Sequence, residues 1–172
     1  MPGVCPECGA PVPGGGACRD NFHALLLLES EIPGGPGDVP HFYAVASYAL
    51  QHPESMGYTA EAVAGLRACL ADHLDARLSL DAVRRRVRRG AEGANRVTRR
   101  GGDEVVRWPV GTWPVTVADV CAGGTEGYGE RVEQWARSIR EMLDASDLEP
   151  GVAADGARDP RSSKFTVSNR RR

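Results

Sequence analysis

Apolar residues recur every three or four positions in five stretches of the chain, which is the spacing of one face of a helix. The predicted helices cover about residues 18–31, 41–51, 60–77, 80–89 and 130–143. Thr59 and Ser79 suit the N-caps of the third and fourth helices, because a hydroxyl oxygen can accept a backbone N–H there. The pattern predicts a mainly α fold class, a small helical bundle of about four or five helices.

The segments outside these helices follow other patterns. Residues 1–17 hold five glycines and four prolines, a composition that excludes a helix of any length. Glu104–Trp108 is a short β-like run. Thr116 and Asp119 have the spacing that caps a short helix.

Two of the predicted helices carry potential ligands and apolar residues at the same sequence intervals of four, three and four residues. The first holds Cys18, Phe22, Leu25 and Glu29, and the second holds His41, Val45, Tyr48 and His52. Each set lies on one stripe of its helix. If the two helices pack antiparallel, Cys18 comes level with His52 and Glu29 comes level with His41. Apolar residues, Leu25 against Val45 among them, then meet in the middle, with potential ligands at both ends.

The end that holds Cys18 and His52 is also where the N-terminal segment arrives with Cys5 and Cys8. Thiolates two residues apart can reach one zinc ion at about 2.3 Å. Cys18 is the natural third ligand and His52 is favoured as the fourth, with His23 as its rival. Zinc is inferred from the softness of sulfur, and iron or copper would also fit some of these residues. A thiolate-rich set favours a structural role.

Glu29 and His41 form a second candidate constellation. They suit an acid–base pair, a second metal site, or a hydrogen bond that ties the helix ends together. His41 is also an alternative to His52 as a ligand of the first metal. Asp119 is a third candidate catalytic residue, which would line a pocket beneath the tryptophans together with Glu29 and His41. His73 would join Glu29 and His41 if the third helix returns toward them, although its acidic neighbours are typical of a surface histidine.

These features predict a single metal-binding helical domain over residues 1–147, with a knuckle over 1–17 and a helical core over 18–147. From residue 148 to 172 the composition becomes polar and rich in proline and glycine, and we expect a disordered tail. Cys69 and Cys121 lie in apolar surroundings and are expected to be small buried residues.

Charge and hydropathy limit the range of functions. The 172 residues carry a formal net charge of −2 at pH 7, which gives no overall attraction to nucleic acid or to a membrane. Arg84–Arg100 is strongly basic, and is either a solvated face or a contact for phosphate, nucleic acid or an acidic partner. The longest apolar run, Ala24–Leu28, is too short to span a bilayer. No signal peptide is visible, so we expect a cytoplasmic protein.

The chain resembles an uncharacterised bacterial family, a domain of unknown function common in actinobacteria. The resemblance rests on Cys5-x2-Cys8-Gly9-Ala10, Cys18, Phe22, Glu29, His41, Tyr48-x2-Gln51-His52-Pro53 and Trp113-x2-Thr116-Val117-x-Asp119-Val120. It covers about residues 4–144 and implies a small bacterial protein with a metal site. It implies no reaction.

The expected function is a zinc-binding bacterial protein whose metal ties the knuckle to a helical hairpin. Such a protein would act as an accessory or interaction protein with an unknown protein or small-molecule partner. The alternative is a metal-dependent enzyme, hydrolase- or lyase-like, that uses Glu29 and His41 or an open metal position. A third interpretation is a nucleic-acid binder that uses Arg84–Arg100, whose binding would depend steeply on salt.

Overall fold

The computed structural model describes residues 3–12, 14, 16–92, 96–101, 103–108, 113–145 and 151–153, the last three through their backbone alone. The described residues form six α-helices and four short strands. In chain order these are β1 (Gly3–Val4), β2 (Pro11–Val12), α1 (Cys18–Glu31), α2 (Asp38–Gln51), α3 (Ala60–Leu74), α4 (Leu80–Gly90), β3 (Val105–Arg107), α5 (Val117–Ala122), α6 (Tyr128–Ala145) and β4 (Gly151–Ala153). The mainly α fold class is confirmed.

The predicted N-caps place the starts of α3 and α4. The hydroxyl oxygens of Thr59 and Ser79 each accept the N–H of the residue three positions on, which satisfies a donor that the helix itself leaves unpaired. Helix α2 begins at Asp38, three residues before the predicted start, because Pro40 lies in its first turn, where the missing N–H does no harm.

Helix α3 ends at Leu74, three residues before the predicted end. The backbone amides of Arg77 and Leu78 both donate to the carbonyl of Asp72, at 2.8 and 3.1 Å. Ala76 takes a positive φ of 57° to allow this turn. Glycine usually occupies such a position, so the sequence carries no signal for the stop.

Helix α2 lies at the centre of the fold. Every residue of Tyr43–Gln51 is buried except Val45, which was expected to face Leu25 and is instead 38% exposed. Helix α6 packs along α2 more extensively than any other two described helices pack together. The α6 side chains of Trp135, Ile139 and Leu143 are fully buried, and each such burial contributes about 1.5–3 kcal/mol.

The strands form two separate antiparallel pairs. β1 pairs with β2 and brackets the first two cysteines, and β3 pairs with β4. β4 lies in the segment 148–172, which was expected to be disordered. The rest of that tail lies outside the described residues, so the domain boundary at residue 147 stays a prediction. No described helix combines the length and the apolar character needed to cross a membrane.

The C-terminal end of α2 is fastened by the chain that follows β3. The side-chain amide of Gln51 donates to the carbonyl of Val115 at 2.8 Å, and its oxygen accepts the indole N–H of Trp135 at 3.2 Å. The indole N–H of Trp108 donates to the carbonyl of Leu50 at 2.5 Å. These bonds satisfy buried polar groups and fix the helix end that carries His52.

Candidate metal centre

Four side chains from three separate segments converge at one end of the bundle. Cys5 and Cys8 come from the N-terminal knuckle, Cys18 is the first residue of α1, and His52 directly follows α2. All four are buried, and one ligand atom of each lies within 4.8 Å of every other. The predicted convergence is confirmed, and the four residues can hold a metal ion.

The backbone of the knuckle folds around its own sulfur atoms. The N–H of Cys5 donates to the carbonyl of Ala10 at 2.8 Å, and the N–H of Gly9 donates to the carbonyl of Cys5 at 2.9 Å. Gly9 has a φ of 78°, which a residue with a Cβ rarely adopts. The turn lets the N–H of Ala10 point at the sulfur of Cys8, at 3.4 Å.

The imidazole of His52 is held with one nitrogen facing the cysteines. Its Nδ1–H donates to the carbonyl of Tyr48 at 2.8 Å, so Nε2 is the nitrogen available to a metal. Nε2 is 3.5 Å from the sulfur of Cys5. The ring stacks on Tyr48, which in turn stacks on Phe22, each with ring centroids 4.1 Å apart. A ligating histidine needs this type of support, since the second nitrogen sets the tautomer and the ring orientation.

Two of the spacings among the four atoms match those around a tetrahedral zinc ion. A zinc ion with bonds of about 2.3 Å to sulfur and about 2.0–2.1 Å to nitrogen places two sulfurs about 3.8 Å apart and a sulfur and a nitrogen about 3.6 Å apart. The sulfurs of Cys8 and Cys18 are 3.6 Å apart, and the Cys5 sulfur lies 3.5 Å from the His52 nitrogen. A disulfide needs about 2.05 Å, and all these cysteines are free.

The close packing of these groups makes them share protons unequally. Hydrogen bonds from Cys18 and Cys8 lower the pKa of Cys5, whereas the same contacts with Cys5 and Cys8 raise the pKa of Cys18. Burial lowers the pKa of His52, but its hydrogen bonds with Cys5 and Cys8 outweigh that effect and raise the pKa to about 10. Three thiolates at this spacing would repel one another, and a bound cation relieves that repulsion.

Hydrogen bonds outside the cluster hold the knuckle against the bundle. The carboxylate of Glu7 accepts the N–H of Glu54 at 3.0 Å and that of Ser55 at 3.2 Å. Trp113 donates its indole N–H to the carbonyl of Glu7 at 3.1 Å and its backbone N–H to the carbonyl of Cys8 at 3.4 Å. The sequence analysis gives neither residue a role at the site. The position of Glu7 between the two cysteines is the signal that could have suggested the first.

Glu29 and His41 meet as predicted, and a third residue joins them. The Nδ1–H of His41 donates to one carboxylate oxygen of Glu29 at 2.8 Å, and the hydroxyl of Tyr128 donates to the other at 2.5 Å. Burial, followed by the contact with Glu29, raises the pKa of Tyr128, so the phenol keeps its proton. Glu29 is buried, whereas the His41 side chain is 55% exposed and lines a cleft of about 430 Å³ with Ser30, Ile32 and residues 35–38.

The remaining candidate residues have other contacts. Asp119 accepts the N–H and the hydroxyl of Thr116, both at 2.8 Å, and so caps α5. His73 donates its Nδ1–H to the carbonyl of Leu78 at 2.9 Å, and His23 is exposed; neither belongs to the four-residue cluster. Cys69 is buried, in agreement with its prediction, whereas Cys121 is only half-buried.

The fold and the site together define a class of protein: mainly α, with three cysteines and one histidine gathered where they can hold a metal ion. The chain belongs to a family of unknown function, DUF5946, whose model matches residues 3–144. The match includes the knuckle and reaches into the last turn of α6, and it confirms the resemblance to an uncharacterised domain family. No curated protein and no solved structure matches the chain.

Proposed function

We propose that this protein binds one zinc ion through Cys5, Cys8, Cys18 and His52, and that the ion is structural. When bound, zinc supplies four strong bonds that join the knuckle to the start of α1 and the end of α2. The chain around it then acts as an accessory or interaction protein. A bacterial cytoplasm suits this function, because it keeps thiols reduced and able to bind metal.

The observation that carries the proposal is the mutual closeness of four buried ligand atoms, all within 4.8 Å of one another. Four protein ligands complete the tetrahedral coordination of zinc, whereas a catalytic site keeps one position for water. Three sulfurs and one nitrogen also suit the borderline-soft zinc ion better than a hard cation such as magnesium. The Nδ1–H of His52 is already engaged, which leaves Nε2 free to ligate.

Elemental analysis of the purified protein tests the proposal. We expect about one zinc per chain for the wild type, because the site has a single set of four ligands. The variants Cys5→Ser, Cys18→Ser and His52→Ala should lose it. Cys69→Ser and His73→Ala are matched controls outside the cluster and should retain it. A wild type that carries no metal, or ligand variants with a full complement, would refute the proposal.

Cobalt substitution separates a structural from a catalytic ion. A closed tetrahedral site gives a cobalt visible spectrum that added small anions such as azide leave unchanged. An open position, as in the metalloenzyme alternative, would bind the anion and shift the bands. A shift on addition of azide would therefore replace the structural interpretation with a catalytic one.

A second candidate function rests on the chain of hydrogen bonds from Tyr128 through Glu29 to His41. A buried carboxylate that orients an imidazole beside a cleft is the arrangement of a general base, with Nε2 of His41 as the proton acceptor. Hydrolysis of p-nitrophenyl acetate tests it. His41→Asn and Glu29→Gln should both lower the rate at least tenfold, whereas His73→Asn should not. Equal rates in all variants would contradict general-base catalysis and would mean that Tyr128, Glu29 and His41 only stabilise the fold.

A further inference from the structure

Two of the three sulfur atoms in the metal centre lie in direct contact. The sulfurs of Cys8 and Cys18 are 3.6 Å apart, whereas the near neighbour of the Cys5 sulfur is Nε2 of His52, at 3.5 Å. A disulfide forms between sulfurs that can meet without a large movement of the backbone. If the cluster is oxidised, Cys8 and Cys18 are therefore the pair best placed to join.

The same two cysteines differ in their access to solvent. Cys18, the first residue of α1, is 8% exposed, whereas Cys8 is 0% exposed. A small oxidant can therefore reach Cys18 before it reaches Cys8. An accessible cysteine beside a second cysteine that can resolve it is the arrangement of a redox sensor. A metal ligand is already a thiolate, which is the form of cysteine that attacks oxidants.

We propose that the metal centre is a redox switch, in which hydrogen peroxide converts Cys8 and Cys18 to a disulfide and the zinc ion is released. The inference rests on the proposed function, because it requires the reduced site to hold the ion. It adds a regulation of that site and names the class of oxidant that acts on it.

The oxidation takes two balanced steps. In the first, the Cys18 thiolate attacks one oxygen of hydrogen peroxide, so that an S–O bond forms, the O–O bond breaks and hydroxide leaves. In the second, the Cys8 thiolate attacks the sulfur of Cys18, so that the S–S bond forms, the S–O bond breaks and a second hydroxide leaves. The two thiolates lose two electrons and the peroxide gains them; each hydroxide takes up a proton to become water.

The disulfide changes what holds the knuckle. It removes two of the four ligands, and Cys5 and His52 alone do not complete the coordination of a structural zinc ion. Cys8 stays fastened to α1 through its bond to Cys18, but the metal link from the knuckle to the end of α2 is lost. A dithiol reductant reverses the step by exchange with the disulfide, and the site can then bind zinc again.

Peptide mapping of peroxide-treated protein tests the proposal. A glutamate-specific protease cuts after Glu7 and trypsin cuts after Arg19, so Cys5 falls in the first peptide and both Cys8 and Cys18 fall in the second. A disulfide between Cys8 and Cys18 stays inside the second peptide, whereas any disulfide of Cys5 with either one joins the two peptides. We expect the internal disulfide to exceed the joined peptides at least about tenfold, with Cys5 alkylated by iodoacetamide.

Zinc release, followed with a chromogenic chelator, should match the amount of this disulfide. Dithiothreitol should restore zinc binding. The double variant Cys69→Ser with Cys121→Ser is the matched control, because it removes the two cysteines outside the cluster. It should release zinc and form the disulfide like the wild type. The mapping of the wild-type protein stands alone if this variant does not fold.

The possible failures are distinguishable. Reduced protein that holds no zinc would refute the proposed function, and the switch with it. Zinc-loaded protein that keeps its ion in millimolar hydrogen peroxide, that joins Cys5 to another cysteine, or that forms sulfinic acid without a disulfide would overturn the switch and leave the structural zinc site intact.

Discussion

Removal of the proposed zinc ion should release the knuckle while the helical core stays folded. The perturbation is a strong chelator, followed by gel filtration and elemental analysis to show that the ion has gone. Residues 3–12 of the knuckle have little regular structure beyond one two-residue pairing, so their order depends on what holds them to the bundle. The core has its own buried helices and does not depend on the ion in the same way.

The contacts of the knuckle show how much free energy the metal must supply to keep it ordered. Ordering ten residues costs about 15 kcal/mol of backbone entropy. Apart from the contacts among the four ligands, six hydrogen bonds between described residues join the knuckle to the rest of the chain. They return about 8 kcal/mol, since three of them involve the carboxylate of Glu7. Burial of small side chains such as Ala10 and Val12 adds about 3 kcal/mol. The shortfall is on the order of 4 kcal/mol, which structural zinc binding, about 10–16 kcal/mol, exceeds.

Hydrogen exchange of the metal-bound and stripped forms measures what the metal contributes to the order of the knuckle. We expect the amides of Cys5 and Gly9 to exchange at least about 10⁴-fold faster after the metal is removed, because opening the metal-bound knuckle costs the zinc-binding free energy less the shortfall, about 6 kcal/mol or more. Peptides from α6 should change far less. The Cys69→Ser variant, treated in the same way, controls for effects of the chelator on other thiols.

Two results would contradict this reasoning. One is unchanged protection of the knuckle in protein that elemental analysis shows to be free of metal. The other is loss of protection throughout α2 and α6 at the same rate as in the knuckle, which would make the ion a requirement for the whole fold rather than for one segment.

Further predictions concern the core and the second constellation. Gln51→Met should lower the free energy of unfolding by about 2–4 kcal/mol in urea denaturation, because it leaves two buried hydrogen-bond partners unsatisfied. Tyr128→Phe removes one partner of Glu29 and should cost about 1–2 kcal/mol in the same assay; no loss would mean that the bond does not form in solution. Asp119→Ala should cost about 1 kcal/mol through loss of a helix cap, with unchanged metal content. Acidification should release the metal to a chromogenic chelator, because protons compete for the thiolates; release that is independent of pH would argue against thiolate ligands.

Much of the helical architecture could be predicted from the sequence, because it depends on local signals. The hydroxyl caps at Thr59 and Ser79 and the spacing of apolar residues act within one or two turns of helix. The predicted start of α2 and the predicted end of α3 were less accurate. Their limits depend on Pro40 being tolerated in a first turn, and on a backbone turn at Ala76 that no glycine announces.

The metal cluster could be predicted for a different reason. The identical steps along α1 and α2 fix which residues are level once the helices are antiparallel, so Cys18 and His52 follow from geometry alone. The role of Trp113 could not be foreseen, because it reaches Glu7 across more than a hundred residues of sequence. Tyr128 was missed for the same reason, since no local pattern relates α6 to Glu29.

The four clustered residues have a consequence for how the chain is made. All of them lie in the first third of the sequence, and synthesis proceeds from the N-terminus. An ion can therefore be captured when only the first two helices have left the ribosome. Trp113 and α6 are translated later and would then close over a template that is already cross-linked.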